Sequence, residues 1–596
     1  SNVGNPLASL DYTHDKSYGN RVGGNVWGEY KITKDLSFRT SIGVDAEQNN
    51  GQVYVPVYMV SSTQKNEVSH LYYSADSIYQ WTWDNYFTYT KNLGSDHRIV
   101  VTAGHTSERR NGWSQNSSKD NISGDKMLWK LNFNDTAGSQ QNLRTPIGNY
   151  YKRESYFVRA NYQFRDKYLV NATFRRDANS NFSPDNRWGN FPAIGVGWIV
   201  SKEAFMNNQK VFSNLKLRAS YGIVGNDVIS PGQFLLRPAE RLYAYFGTNR
   251  INGAIPTGII DPNLKWEENK EFDVGVEFSM FDKRLTGEVD YYHKNSTNAL
   301  FTVPLTDLGF GSTFLTNAAN IVNRGVEISL GWNGKINEHT KYALNGNVTF
   351  NKNEVTNIGL GKALYYGSLN NGYQATATVV GQPIGSFWVY KTNGIFQTEN
   401  DIANYPHITN TKPGDFRIVD VNKDGVIDDN DRVFVGSYQP KFYGGFNGSV
   451  TYKKFDFSFD VYGNFGNKVY NAKKGVRTGG NYNVEYDVAI NRWQPGSNEN
   501  IYPRAFNGVV PPMDYFIESG SFVRINNLTV GYTLQPKNNL HVGSVRVYAS
   551  AQNPIIFTKY TGFTPELPGN QNEAGIELNI YPVSATYMVG LTIQFK

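Results

Sequence analysis

The chain has 596 residues, of which 14% are aromatic and 18% are charged, and it contains 57 Gly. This length exceeds one ordinary soluble core but suits an extended β architecture, and the composition is typical of strands joined by Gly-containing turns. Cys is absent, which excludes a disulfide scaffold, a thiolate metal site and a cysteine nucleophile. The formal net charge of +6 comes without a basic block, so charge gives no reason to expect a nucleic-acid partner. Because no apolar run reaches about 18 residues, we expect no transmembrane helix.

Alternation of apolar and polar residues recurs along almost the whole chain and predicts about 18 β-strands. Between residues 270 and 281, for example, Phe272, Val274 and Val276 alternate with charged or small residues, so the apolar side chains share one face of the strand. The predicted strands lie near 7–14, 21–31, 36–47, 79–90, 97–107, 150–165, 167–176, 190–200, 213–223, 270–281, 284–294, 321–334, 340–353, 440–452, 455–466, 521–534, 543–553 and 585–596.

The lengths of these strands and of their connections favour a membrane barrel. Many predicted strands reach the length of about 9–11 tilted residues that crosses a bilayer. Short connections such as 32–35, 282–283 and 453–454 alternate with long ones, as the short periplasmic turns and longer extracellular loops of outer-membrane barrels do. The long connections are 108–149, 224–269, 295–320, 354–439, 467–520 and 554–584. We therefore predict an all-β fold, a transmembrane antiparallel β-barrel, which is closed because an open edge in hydrocarbon would leave backbone groups unpaired.

Aromatic residues near the predicted strand ends suit the girdles that flank the apolar band of such barrels. For any one of these residues, ordinary core packing is the alternative. The residues are Trp27, Trp81, Trp83, Trp188, Trp198, Trp332, Tyr532 and Tyr587. The last strand also places Val589, Leu591, Ile593 and Phe595 on the same face as Tyr587.

One short motif predicts a metal site. Residues 420–431 carry oxygen-bearing residues at the ligand positions of a calcium loop, with Gly425 at the sharp turn. The predicted ligands are Asp420, Asn422, Asp424, the backbone carbonyl of Val426, Asp428 and Asp431. The last position is Asp rather than Glu and no helices flank the loop, so we expect a structural Ca²⁺ within the long extracellular loop 354–439, with Ile427 anchored in apolar surroundings. A turn held by side-chain-to-backbone hydrogen bonds is the alternative.

Motifs for catalysis are missing from the sequence. The chain has eight His, but they form no HExxH pair, and neither a GxSxG nucleophile elbow nor a phosphate-binding GxxxxGK[ST] loop occurs. We therefore predict that the protein is not an enzyme. The carboxylates on the polar faces are expected to line a water-filled lumen.

Several stretches taken together resemble the SusC/RagA class of TonB-dependent outer-membrane transporters. They extend from about residue 150 to the end of the chain. They are residues 162–177, Asp185-Asn-Arg-Trp-Gly-Asn-Phe-Pro192, residues 215–226, Asn263-Leu-Lys-Trp-Glu267, Asn323-Arg-Gly-Val-Glu327, Gly381-Gln-Pro-Ile-Gly-Ser-Phe387, Gly394-Ile-Phe396, Pro413-Gly-Asp415, Phe522-Val-Arg-Ile-Asn-Asn527 and Ala551-Gln-Asn-Pro554.

The resemblance implies a barrel of about 22 strands that is plugged by an N-terminal domain and imports oligosaccharides or peptides. It also implies a SusD-like surface lipoprotein as a partner, and energy supplied by the TonB complex through the plug. Plug and first strands are missing here, so residues 1–596 are expected to be the C-terminal part of the barrel, completed by an N-terminal segment. The implied location is the outer membrane of a Gram-negative bacterium.

Two other functions remain open from the residues alone. A soluble or surface carbohydrate-binding β protein would use its exposed Trp and Tyr side chains to stack on sugar rings, and solubility without detergent would favour it. An outer-membrane enzyme would keep hydrolytic activity in the isolated chain.

Overall fold

Long antiparallel ladders of backbone hydrogen bonds dominate the computed structural model of the protein. It describes residues 5–126, 129, 139–141, 145–146, 150–236, 238–247, 249–256, 259–304, 313–359, 363–369, 371–478, 484–505, 510–536, 541–570, 572–578 and 580–595. The chain divides into two units. Unit 1 comprises Ser1–Gly195, Gly222–Glu268 and Leu305–Asn317, and unit 2 comprises Val196–Tyr221, Asn269–Pro304 and Ala318–Lys596.

The elements follow one another in this order. The first part of the chain contains α1 (Pro6–Tyr12), β1 (His14–Lys31), β2 (Leu36–Val55), β3 (Tyr58–Met59), β4 (Lys65–Asn66), β5 (His70–Leu93), β6 (His97–Asp120), β7 (Ser139–Gln141), β8 (Thr145–Pro146), β9 (Tyr151–Phe164), β10 (Tyr168–Asn179), β11 (Trp188–Ile199), β12 (Phe212–Asn226), β13 (Pro238–Phe246) and β14 (Asn249–Pro256). The second part contains β15 (Glu267–Met280), β16 (Leu285–Pro304), β17 (Thr313–Asn337), β18 (Thr340–Ile358), β19 (Leu364–Ser368), β20 (Gln374–Thr378), β21 (Ser386–Tyr390), β22 (Thr392–Ile395), α2 (Glu399–Ala403), β23 (Phe416–Ile418), β24 (Arg432–Phe434), β25 (Phe442–Tyr452), β26 (Phe455–Phe465), β27 (Lys468–Tyr470), α3 (Ala472–Thr478), α4 (Tyr486–Asn491), β28 (Ile517–Ser519), β29 (Phe522–Leu534), β30 (Val542–Thr558) and β31 (Thr586–Phe595).

Unit 1 contains one continuous antiparallel ladder, in which β1, β2, β5, β6, β9 and β10 pair in succession. The alternation predicted from the sequence separates its two faces. Val26 of β1 lies opposite Ile42 of β2, and these side chains are 79% and 53% exposed. On the other face Arg21 donates hydrogen bonds to both carboxylate oxygens of Asp45. The apolar face of this ladder is therefore not packed against a second sheet, as it would be in a β-sandwich.

Unit 2 contains the corresponding ladder of β17, β18, β25, β26, β29, β30 and β31. Phe457, Val530, Ala549 and Val589 lie directly opposite one another on four successive strands. Phe457, Val530 and Val589 remain exposed at 40%, 53% and 84%. The all-β prediction is confirmed, and within the described residues no helix is both long and apolar enough to cross a membrane.

The prediction of a strand at residues 7–14 is wrong, whereas the other seventeen predicted strands are present. Residues Pro6–Tyr12 form helix α1 instead, because Asn5 caps its first turn by accepting a hydrogen bond from the backbone N–H of Leu7 at 3.0 Å. Pro6 lacks a backbone N–H, and this costs nothing at the first helical position because an N–H there has no partner within the helix. The chain therefore enters its first strand only at His14.

Many strands extend further than predicted. The connections predicted at 108–149 and 295–320 are shorter, since β6 continues to Asp120, β16 continues to Pro304 and β17 begins at Thr313. Residues 114–120 are polar on both faces, so this part of β6 has no hydrophobic period to reveal it. Its pairing with β5 depends on backbone hydrogen bonds, which any residue except proline makes.

An ion pair spans three strands of unit 2 across a glycine. Arg546 on β30 donates to Asp456 on β26, with its Nε 2.9 Å and its Nη2 2.5 Å from the carboxylate oxygens. Gly531 of β29 lies between them, and a Cβ added there would stand 2.5 Å from Asp456 Oδ1 and 2.6 Å from Arg546 Nη2. The ion pair between Arg546 and Asp456 therefore depends on the absence of a side chain at position 531.

We predict that Gly531→Val destabilises the ladder by about 1–3 kcal/mol, because the added side chain overpacks the site and separates the ion pair. To measure this effect, samples are heated to a series of temperatures and then run on a cold SDS gel, on which the folded protein migrates faster than the unfolded protein. The temperature at which the faster band disappears reports the stability of each variant. Gly28→Val on β1 is the control, since an added Cβ there has no heavy atom within 4 Å. Equal melting of the two variants would contradict the prediction.

Candidate functional site

Three long connections of unit 2 fold together, and we call the described parts of residues 359–441, 466–521 and 559–585 the loop assembly. All three contribute to one hydrophobic core, to which Phe387, Phe516 and Ile576 belong, one from each connection. The full set of buried residues is Leu369, Ala375, Phe387, Val389, Tyr390, Ile418, Ile427, Tyr470, Ala472, Met513, Phe516 and Ile576. These connections therefore form a packed structure of their own.

Backbone hydrogen bonds join the three connections as well. The N–H of Tyr390 donates to the carbonyl of Pro512 at 2.9 Å, and the N–H of Tyr470 donates to the carbonyl of Gly575 at 2.8 Å. Strands β19, β20, β21 and β24 form a small antiparallel sheet within the first connection. Packing and main-chain bonds together hold the assembly in one arrangement.

Arg432, at the start of β24, is a buried cation at the centre of the first connection. Its Nη2 donates to the carbonyls of Gln374 and Trp388, and its guanidinium lies 3.7 Å from the centroid of the Trp388 ring. Burial lowers the pKa of Arg432, while the carboxylate of Asp429, 3.4 Å from its Nη1, acts in the opposite direction. Tyr390 also donates to Asp429 at 3.2 Å, and burial raises the pKa of its hydroxyl. Arg432 thus connects the sheet to the segment that carries the predicted calcium ligands.

Residues 420–431 form a compact turn around the buried side chain of Asp431. This carboxylate is fully buried and accepts hydrogen bonds from the backbone N–H groups of Val421 at 2.7 Å and Asp428 at 2.9 Å. Its partners come from both ends of the loop, so Asp431 closes it. Ile427 is buried in the core of the loop assembly, as expected from the sequence.

The other predicted ligands lie on the same turn. Asp420 accepts from the N–H of Gly425 at 2.9 Å, and Asp424 accepts from the N–H of Val426 at 2.9 Å. Gly425 has φ of +85°, which favours glycine. Asn422 donates its side-chain amide to Asp424 at 2.7 Å.

The carboxylates that the metal prediction uses already take part in hydrogen bonds within this turn. Among the residues that the structure describes, no three His, Asp or Glu side chains converge as a metal site. The carboxylates instead accept main-chain hydrogen bonds, which is the arrangement expected of the alternative turn. The Ca²⁺ site stays a prediction.

The polar face of the unit 2 strands carries a dense group of charges. Arg218 of β12 lies 2.7 Å from Asp290 of β16 and also pairs with Glu288, and Lys216 donates to Glu277 at 2.9 Å. A cleft of about 540 Å³ extends over this surface and is lined by acidic groups that include Glu271 and Glu327. The lining of this cleft is hydrophilic and suited to contact with a polar or cationic surface.

Sequence reasoning missed a buried charged group that joins two connections of the loop assembly. Glu577 is fully buried and accepts a hydrogen bond from Tyr560, and its Oε1 lies 4.0 Å from the ammonium of Lys473. That ammonium stands 3.1 Å from the centroid of the Phe563 ring, and burial lowers the pKa of Lys473. No local pattern could have revealed this group, because Lys473 and Glu577 are far apart in the sequence.

Known proteins similar to this chain include several receptors of one family. A family model described as "TonB dependent receptor-like, beta-barrel" matches residues 2–554. The TonB-dependent receptor SusC of Bacteroides thetaiotaomicron is 30% identical over 99% of this chain and 57% of its own length. TonB-dependent receptor P3 of Formosa agariphila is 28% identical over 100% of this chain and 60% of its own length. The chain therefore spans about three fifths of the length of these curated relatives.

Solved structures support the fold. A structure of the RagAB peptide transporter matches 98% of this chain and 63% of its own chain, with a TM-score of 0.84 and 21% sequence identity. A structure of the RagAB peptide importer in the "open-open" state matches with a TM-score of 0.82 and 22% identity. The resemblance to the SusC/RagA class is confirmed.

We predict that Arg432→Ala loosens the loop assembly, because it removes the hydrogen bonds to the part-buried carbonyls of Gln374 and Trp388, at about 1–3 kcal/mol in total. Limited proteolysis of the folded protein should cleave residues 391–431 at least about tenfold faster than in wild type. Arg417→Ala is the control, since Arg417 is less buried and its contacts, a hydrogen bond to the carbonyl of Asn393 and a ring contact with Tyr405 at 5.4 Å, are local to the same segment. Unchanged cleavage of the Arg432 variant would show that this side chain does not hold the assembly.

Proposed function

The chain belongs to the β-barrel family of TonB-dependent receptors, and from this membership we propose that it is the barrel part of an outer-membrane importer of large nutrients, either oligosaccharides or peptides. The observation that carries the proposal is the match of the family model to residues 2–554, together with ladders whose apolar faces are exposed. In hydrocarbon such faces are stable, and the backbone groups are paired within the ladders. The family consists of receptors, which supports transport rather than the enzyme alternative.

The location and partners follow from the same proposal. The protein lies in the outer membrane of a Gram-negative bacterium, and the TonB complex supplies energy through a plug domain. A SusD-like surface lipoprotein binds the loop assembly. Its proposed contact includes Tyr486 and Ile490 on α4, which are 76% and 57% exposed. Because Tyr486 and Ile490 lie four residues apart on one helix, their side chains share a face and form one exposed apolar patch, which typically marks a protein contact, unlike an isolated exposed side chain.

Membrane fractionation and affinity purification of the full-length protein test this function. We expect the protein in the outer-membrane fraction, a surface lipoprotein that copurifies, and TonB-dependent uptake of labelled oligosaccharides or peptides by intact cells. The double variant Tyr486→Glu and Ile490→Glu should lose most of the lipoprotein while remaining in the membrane, because two charges are placed in an apolar contact. The matched control is Val380→Glu, which charges another exposed loop residue.

Two results would contradict these proposals. Recovery of the full-length protein in the soluble fraction without detergent would favour the carbohydrate-binding alternative over the importer. Equal recovery of the lipoprotein with the double variant and with the control would remove α4 from the proposed contact.

We also propose that residues 420–431 bind a structural Ca²⁺. Asp420, Asn422, Asp424, Asp428 and Asp431 and the carbonyl of Val426 would supply the oxygen ligands. The turn around Gly425 and the closure of the loop by Asp431 support the proposal, because they bring both halves of the loop together. Extracellular calcium sites have dissociation constants of about 10⁻⁴–10⁻³ M, which suits a permanently occupied site outside the cell.

Calorimetric titration of calcium into the protein tests this site. We expect binding heat for wild type and its loss in Asp424→Ala, which removes a ligand oxygen. Asp429→Asn is the control, because Asp429 lies in the same segment outside the ligand set and the amide keeps an oxygen for Arg432 and Tyr390. Equal heats for wild type and Asp424→Ala would remove the site.

A further inference from the structure

The apolar face of unit 2 contains a groove of about 490 Å³, a volume typical of small-molecule sites. It runs across β16, β17, β18 and β25. Its lining residues are Leu285, Ile328, Leu330, Gly331, Trp332, Leu344, Gly346, Asn347, Val348, Gly445 and Phe446. From Trp332 to Ile328 it extends along the strand for roughly 13 Å, at about 3.3 Å per residue.

The groove exists because a glycine occupies an apolar position of the ladder. Gly346 lies directly opposite Leu330 on β17 and Phe446 on β25, whose side chains are 45% and 47% exposed. A Cβ added at Gly346 would meet Phe446 at 3.5 Å and nothing closer. The space between these two side chains is thus open, and a larger residue at position 346 would occupy it.

Polar groups around the groove have partners within the protein. The side-chain oxygen of Asn347 accepts a hydrogen bond from the N–H of Gly445 at 3.1 Å. The indole N–H of Trp332 donates to the hydroxyl of Tyr342 at 2.8 Å. The groove therefore presents mainly apolar atoms and fits a flexible hydrocarbon chain rather than a hydrogen-bonding ligand.

The end of the groove near Leu285 and Trp332 lies next to short turns that carry positive charge. The N–H of Asn333 donates to the carbonyl of Arg284 at 2.9 Å, which places the turn before β16 beside this end. The N–H of Lys453 donates to the carbonyl of His339 at 2.9 Å, which brings the β25–β26 turn to the end of β17 and β18. Four exposed cations stand on these turns, namely Lys283, Arg284, Lys453 and Lys454, with Asp282 and Glu338 as the neighbouring carboxylates.

The geometry points to a binding site for one anionic glycerophospholipid, with an acyl chain in the groove and the phosphate at the cationic turns. The occupant follows from the combination of an apolar cleft, an exposed apolar face around it, and the group of cations on the turns beside Trp332. Beyond the other end of the groove, the cations Arg324 and Lys352 lie 3.8 Å and 3.3 Å from the carboxylate of Glu354 and are partly neutralised by it. A hydrocarbon core is about 30 Å thick, so the groove lies within one leaflet. Short turns of such barrels face the periplasm, and the lipid therefore belongs to the periplasmic leaflet. The inference rests on the membrane location proposed above.

Native mass spectrometry of the full-length protein, incubated with phosphatidylglycerol or phosphatidylcholine in detergent, tests the site. We expect wild type to retain one phosphatidylglycerol in preference to phosphatidylcholine. Gly346→Leu should weaken retention by about tenfold, the effect of excluding about two methylene groups from the groove. Lys283→Glu combined with Lys453→Glu should abolish the preference for the anionic lipid.

Gly24→Leu is the matched control, since Gly24 stands between the exposed Val22 and Val26 of β1 and an added Cβ there meets nothing within 4 Å. It should retain lipid as wild type does. Retention by Gly346→Leu equal to that of Gly24→Leu would overturn the site, and wild type that binds both lipids equally would overturn the anionic assignment.

A second measurement does not depend on a groove-filling variant. Phosphatidylglycerol with brominated chains quenches the fluorescence of a tryptophan that it contacts. The fluorescence of Trp332 is the difference between wild type and Trp332→Phe, and we expect the brominated lipid to quench this difference. A Trp332 contribution that bromine does not quench would also overturn the site. Protein that retains the lipid but takes up no oligosaccharide or peptide would refute the proposed importer and leave the lipid site standing.

Discussion

The need to pair every backbone N–H and C=O group is the constraint from which the rest of this structure follows. In hydrocarbon there is no water to satisfy these groups, so strands must bond to neighbouring strands along their full length. The twenty-four-residue strands β5 and β6 pair residue by residue from His70 to Leu93. With the backbone satisfied in this way, the side chains on one face are free to be apolar and exposed, and those on the other face to be charged.

The loop assembly is stabilised in a different way from the ladders. Its apolar residues are buried, as in a water-soluble domain, and Phe387 and Phe516 are fully enclosed. The same burial holds charged groups such as Arg432 and Glu577, which are costly to enclose unless they are paired or hydrogen-bonded. Because its core is packed and its buried charges have partners, the loop assembly presents an ordered surface. Such a surface suits specific contact with a partner or a nutrient.

Glycines on the ladders act through the side chain that they lack. At Gly531 the missing Cβ leaves room for Arg546 to reach Asp456 across an intervening strand. At Gly346 the missing side chain leaves a gap between Leu330 and Phe446 on the opposite face. The same residue type thus permits an ion pair on the polar face and a groove on the apolar face, because neighbouring side chains decide what fills the space.

The sequence by itself determined the strands and their two faces, since a period of two is a local property that each segment carries alone. It therefore predicted seventeen strands correctly, and it placed the predicted calcium ligands on one turn. It did not reveal helix α1, which begins at the Asn5 cap, or the polar ends of strands such as β6, which have no hydrophobic period. Only the tertiary structure decided that three distant connections share one core, that Arg432 bonds the carbonyls of Gln374 and Trp388, and that Lys473 meets Glu577. Contacts of this kind depend on how separate segments pack, and no short stretch of sequence contains that information.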